Sequence, residues 1–224
     1  MTVIFRKKGV SGLKWIVRLL ALLIILGTIF VLRPVQLEVP YESQLPTLPN
    51  GCEAVSLAMV SSYYMAPIDG ASLVNNYLDK GPIGTTDPHE AYVGDPYGDG
   101  YYAYQAVIAR TAQAYFDDCH LPLKAKAPVV TDPWRLAFHL QRGEPSLVWI
   151  TVDDKNPRRD PNVTWQLGDK SYSPYTNLHV AVLDGINWRS VHLSDPHNGA
   201  REMPLWLFLK NYVLMGMRAV IVTH

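Results

Sequence analysis

Apolar residues at helical spacing dominate the first half of this chain and strand-like runs dominate the second. That order predicts an α+β domain with N-terminal helices packed on an antiparallel sheet. A third observation places one transmembrane helix in front of it. Leu19 to Leu32 is an uncharged apolar run of 14 residues, preceded by Trp15, Ile16, Val17 and the single charge Arg18. Counted from Trp15 the segment has 18 residues, about 27 Å at helical rise. It just spans a thin hydrocarbon layer, with Arg18 near its end able to snorkel.

The elements follow in order. Arg6, Lys7, Lys8 and Lys14 flank the apolar run on its N-terminal side. This keeps the N-terminus in the cytosol and places the domain outside. Ile29 to Pro34 contains no small-residue pair of the kind that precedes a signal-peptide cut. The segment therefore reads as an uncleaved signal anchor over residues 1–34, with one domain over 35–224. Pro34 to Pro40 reads as an extended linker, with Val35, Leu37 and Val39 alternating. Helix patterns cover 52–64, 70–80 (stopped by Gly81-Pro82), 102–117 and 133–142. Asn50 is expected to cap the first. The last has Asp132 as N-cap, Pro133 at its first position and Gly143 after its end. Residues 146–152, 178–183, 190–194 and 218–223 read as strands, with a helix over 204–213. Leu183 to Trp188 reads as the turn between the second and third strands.

Two long loops interrupt this plan, 81–100 and 153–174. Loops of such length in a compact domain carry function or move. Tyr92, Tyr97, Tyr101, Tyr102, Trp165, Tyr172 and Tyr175 are the aromatics available to wall a peptide groove there, or to pack over the edge of the core.

Zero net charge hides an asymmetry. Six of the 20 basic residues and no acid lie within residues 1–33, which leaves 14 basic against 20 acidic residues beyond, a net of −6. No basic patch of the kind nucleic acid needs is present.

The chemistry centres on Cys52. It opens an apolar helix behind a Pro-Asn-Gly turn, where unpaired N–H groups and the helix dipole favour thiolate. Downstream, His179 offers a base and Asp195 a group to orient it. The order Cys, His, Asp is the footprint of a cysteine hydrolase. Asp184 competes with Asp195, but strand alternation sets it on the face opposite His179. Glu53 reads as a charge in the first helical turn. A Cys52–Cys119 disulfide is the structural alternative, which would make the chain a catalytically silent binding or interaction domain. His192, Asp195 and His197 are residue types that bind zinc, but nothing in their spacing assures convergence. Neither a metal nor a cofactor is expected.

Gln44, Gly51-Cys52-Glu53 with its apolar helix, the loop Gly94 to Gly98, and Leu178 to Gly185 leading to Ser194-Asp195-Pro196 form an ordered set. As a set it resembles the C39-like cysteine peptidases, papain-like bacterial domains related to the double-glycine leader peptidases. The resemblance covers roughly residues 38–223. It implies a papain-like cysteine peptidase fold and a metal-free thiol mechanism on a peptide or protein substrate. It also implies that Gln44 is an oxyanion-hole donor, although the spacer Leu45 to Gly51 is longer than in the leader-peptidase branch. With the anchor, the expectation is a membrane-anchored extracytoplasmic peptidase. A cell-wall peptide hydrolase or acyltransferase using the same triad is the rival enzyme.

Overall fold

The computed structural model describes residues 10–31 and 33–224. Arg6, Lys7 and Lys8 of the basic flank, and Leu32 at the end of the apolar run, lie outside the described residues. In chain order the elements are α1 (Val10–Val31), β1 (Val35–Gln36), α2 (Cys52–Tyr63), α3 (Gly70–Asn76), β2 (Lys80–Gly81), β3 (Tyr92–Val93) and α4 (Gln105–Asp118). There follow β4 (Lys124–Lys126), α5 (Pro133–Gln141), β5 (Ser146–Thr151), β6 (Trp165–Leu167), β7 (Lys170–Tyr172) and β8 (Leu178–Ile186). The chain closes with β9 (Ser190–Asp195), β10 (Gly199–Pro204), α6 (Leu205–Leu214) and β11 (Ala219–Thr223).

The main sheet runs β10-β9-β8-β5-β11-β4, antiparallel throughout, and β1 pairs with the far end of β8. Helices cover both of its faces. Leu147, Trp149, Val180, Val182, Val220 and Val222 meet α2 and α4 on one side. Val148, Ile150, Ala181, Leu183 and Ala219 meet α5 and α6 on the other. Residues of both parities are therefore apolar in β5, β8 and β11, as burial on two faces requires. The α+β expectation holds, with α5 and α6 forming a second helical layer.

α2 is buried along its length from Cys52 to Ser61. It is a core helix buried all round rather than an amphipathic surface helix. α3 crosses it so closely that a Cβ on Gly70 would lie 2.7 Å from Val55 Cγ2, and only glycine fits there.

Several sequence expectations need correction. Gly51, not Asn50, occupies the N-cap of α2, and no side chain caps it. The Asn50 amide instead donates to the Gly98 carbonyl at 2.6 Å, tying the helix start to the first long loop. The helix expected over 70–80 ends at Asn76, because Lys80 and Gly81 pair in parallel with Tyr92 and Val93. β8 continues through Asp184 to Ile186, so the turn to β9 is confined to residues 187–189. β4 and β10, edge strands at the two sides of the sheet, were missed. Two residues of the supposed linker, Val35 and Gln36, form a strand, with Val35 opposite Ile186.

The two long loops are tied down by their aromatics. The Tyr92 hydroxyl donates to the Asn50 carbonyl at 2.6 Å. Trp165 stacks on Tyr172 with ring centroids 5.5 Å apart. The Tyr172 hydroxyl lies 2.7 Å from those of Tyr102 and Tyr104. Packing over the edge of the core, rather than an open aromatic wall, accounts for most of these side chains.

Candidate active site

His179 is the second residue of β8 and is buried. Val182 pairs with Ser194, so Asp195 falls on the same face as His179, diagonally across the two strands. The ring Nε2 lies 2.7 Å from Asp195 Oδ1. That contact leaves Nδ1 as the nitrogen with no protein partner among the described residues. Burial by itself would raise the Asp195 carboxyl. The hydrogen bond and charge of His179, the His197 N–H at 2.9 Å and the Asn198 amide at 3.1 Å outweigh it and hold Asp195 below the usual carboxylate range. Arg201 adds an Nε contact at 3.0 Å while its two terminal nitrogens grip Asp154.

Cys52 reaches the same strand end from α2. The pairing of β9 with β8 starts only at Val182, and α2 takes the backbone of Val180. The Val180 carbonyl accepts from Ser56 Oγ at 3.2 Å, one helical turn after Cys52, and the Val180 backbone is among the groups that act on the thiol. The thiol thus lies beside the residue that follows His179.

Its proton, however, points elsewhere. Cys52 Sγ donates to Glu53 Oε2 at 3.2 Å, and Glu53 Oε1 accepts the Ala103 N–H at 2.9 Å. The expected hydrogen bond between Cys52 and His179 is therefore not formed in this resting arrangement. Glu53 is a second correction. It is 1 % exposed, a buried partner of the thiol rather than a solvated first-turn charge. Burial pushes its carboxyl up to about 7. The thiol is pushed well above its ordinary value, first by burial and then by the Glu53 charge. The helix start expected to favour thiolate is thus offset, first by burial and then by the carboxyl group in the same turn.

Gln44 is buried close by. Its backbone N–H donates to the Pro196 carbonyl at 3.0 Å, directly after Asp195. Its amide donates to the Pro49 carbonyl at 2.7 Å, three residues before Cys52. One amide proton remains for another acceptor.

Other expectations resolve differently. Both cysteines are free, Cys52 buried and Cys119 exposed, so the Cys52–Cys119 disulfide is not present. Asp184 does not approach His179. It takes His192 Nδ1 at 2.5 Å and the Ser194 hydroxyl at 2.6 Å. With His192 and Asp195 on different partners, the zinc-type set does not converge, and no metal-binding group of three such side chains occurs among the described residues. Sequence reasoning missed Glu53, Asn198 and Arg201. The adjacency of Glu53 to Cys52 was the one available signal.

The family model described as the Peptidase_C39 like family matches residues 36–220. The chain belongs to that family. A relative, the uncharacterized protein YvpB of Bacillus subtilis (strain 168), is 26% identical over 198 residues, 85% of this chain and 76% of its own. The crystal structure of a candidate C39-like peptidase from Bacillus anthracis is 27% identical with a TM-score of 0.75, over 86% of this chain and 98% of that one. A double glycine motif protease from the AMS/PCAT transporter, solved with the leader peptide, is 17% identical with a TM-score of 0.46, over 84% of this chain and 96% of that one. The C39-like fold is thus that of a cysteine peptidase family, with Cys52 at the start of its core helix.

Proposed function

We propose that this protein is a membrane-anchored extracytoplasmic cysteine peptidase that hydrolyses peptide amide bonds through Cys52, His179 and Asp195. The observation that carries this reading is the buried His179–Asp195 pair at 2.7 Å, set at the start of β8, where the Val180 carbonyl ties α2 to the strand through Ser56, one turn from Cys52. Asp195 fixes the ring with Nδ1 as the acceptor. On substrate binding Cys52 turns from Glu53 toward His179, since catalytic hydrogen bonds tighten in the Michaelis complex.

The sulfur then attacks the carbonyl carbon as its proton passes to Nδ1. The negative oxygen is met by the Cys52 N–H and the remaining Gln44 amide proton. His179 returns its proton to the departing amine. Water, deprotonated by the same ring, splits the thioester and frees the acid. The apolar α1, long enough to cross a membrane, supports the anchor, and the basic flank supports an outward-facing domain.

A peptidyl vinyl sulfone tests the site. The native chain is expected to take one adduct on Cys52 by intact mass and peptide mapping, and His179→Ala to lose it. Labelling of Cys119 alone would overturn the assignment.

A further inference from the structure

The anchor and the candidate site occupy opposite ends of β8. β1, which continues from α1, pairs at Gly185 and Ile186, while His179 stands at the strand's start. Seven residues of extended chain separate them, about 23 Å. Around the anchor end the protein exposes large apolar side chains that its own fold leaves uncovered.

The carboxamide of Gln141, the last residue of α5, donates to the carbonyls of Val31 at 3.2 Å and Arg33 at 2.7 Å. Val31 itself packs into the core layer beneath α5 and α6. α5 is therefore fastened to the point where α1 ends. Its outer face carries Phe138 and Trp134, 46% and 54% exposed, and α6 carries Trp206, 67% exposed. Between the two helices lies a groove of about 240 Å³, walled by Trp134, Ile186, Leu205, Phe208 and Leu209.

We infer that this α5–α6 face is seated on the lipid bilayer that holds α1. The inference rests on the anchor reading above. The headgroup zone on each side of a bilayer is roughly 5–8 Å deep. Phe138 lies three residues from the Gln141 clasp, about 4.5 Å along the helix, and Trp134 about 10.5 Å. If α1 crosses the membrane and ends at its surface, the rise along α5 keeps Phe138 close to that zone and sets Trp134 near its edge. Indole rings prefer this setting, with an apolar body in the acyl boundary and an N–H toward the headgroups. Acyl chains are the apolar material adjacent to a groove that opens beside a membrane helix.

The full-length chain, reconstituted in phosphatidylcholine vesicles with or without brominated acyl chains, tests this by tryptophan quenching. The share of each ring is read by comparing native protein with Trp15→Phe, Trp134→Phe and Trp206→Phe. Bromine is expected to remove the emission of Trp15, in α1, and of Trp134 and Trp206, while the buried Trp149 and Trp165 keep theirs. Loss of the Trp15 signal alone would overturn the seating and leave the anchor standing. Retention of all of it would overturn the anchor and the seating together. Trp134 and Trp206 shielded from bromine in a chain that runs as a dimer in nanodiscs would assign the groove to a second copy and also overturn the proposal.

Discussion

At the scale of single residues the proposed mechanism is a competition for one thiol proton. Glu53 accepts it at 3.2 Å in the structure, and the proposed base, His179, is held by Asp195 at 2.7 Å at the start of β8. If His179 is the base, His179→Ala lowers kcat about as far as Cys52→Ala, because the two act as a unit. Asp195→Ala lowers it less, roughly ten- to thousandfold, since Asn198, Arg201 and backbone donors still shape the pocket. Steady-state kinetics on the three variants checks that order. Glu53→Gln keeps an acceptor for Ala103 but removes the charge. It is expected to lower the pH midpoint of Cys52 alkylation and to raise its rate at neutral pH. The same substitution alters stability with a defined sign. A carboxyl raised from about 4.5 to about 7 on folding stabilises fully below the lower value and loses that contribution as pH rises through the upper one. The melting temperature of the native chain should therefore fall, relative to Glu53→Gln, between those two values.

At the scale of elements, α2 both carries the nucleophile and fills the core. Leu57 is fully buried on it. Leu57→Ala should cost about 2–5 kcal/mol in urea denaturation, with turnover retained under native conditions because the residue lies more than a turn from Cys52. The elements that were legible in the sequence share a reason. α5 announces itself through Asp132 and Pro133, and the Asp132 side chain does accept the Arg135 N–H at 3.0 Å. β5 and β8 show long apolar runs. β10 was illegible because an edge strand such as Gly-Ala-Arg-Glu-Met-Pro is largely solvated and alternates weakly. The capping role given to Asn50 failed because its partner Gly98 lies 48 residues away, beyond any local signal. Cys52, His179 and Asp195 stood out because their chemistry is rare in apolar runs. The burial of Glu53 did not, since it depends on Ala103 arriving from another segment.

At the scale of the molecule, the apolar α1, the main sheet and the candidate site are strung along one strand, β8. A chain anchored with its basic flank in the cytosol exposes a C-terminal tag to protease added outside intact cells, with the protein recovered in the membrane fraction. A protected tag, or release of a soluble form lacking residues 1–33, would remove the anchor from the account.

The most direct measurement concerns turnover. The purified full-length chain is incubated with a library of unstructured peptides, and new termini are read by mass spectrometry. The account predicts cleavage at amide bonds by the native chain, unaffected by chelators and absent for Cys52→Ala of unchanged fold. Cleavage that persists in Cys52→Ala would contradict it.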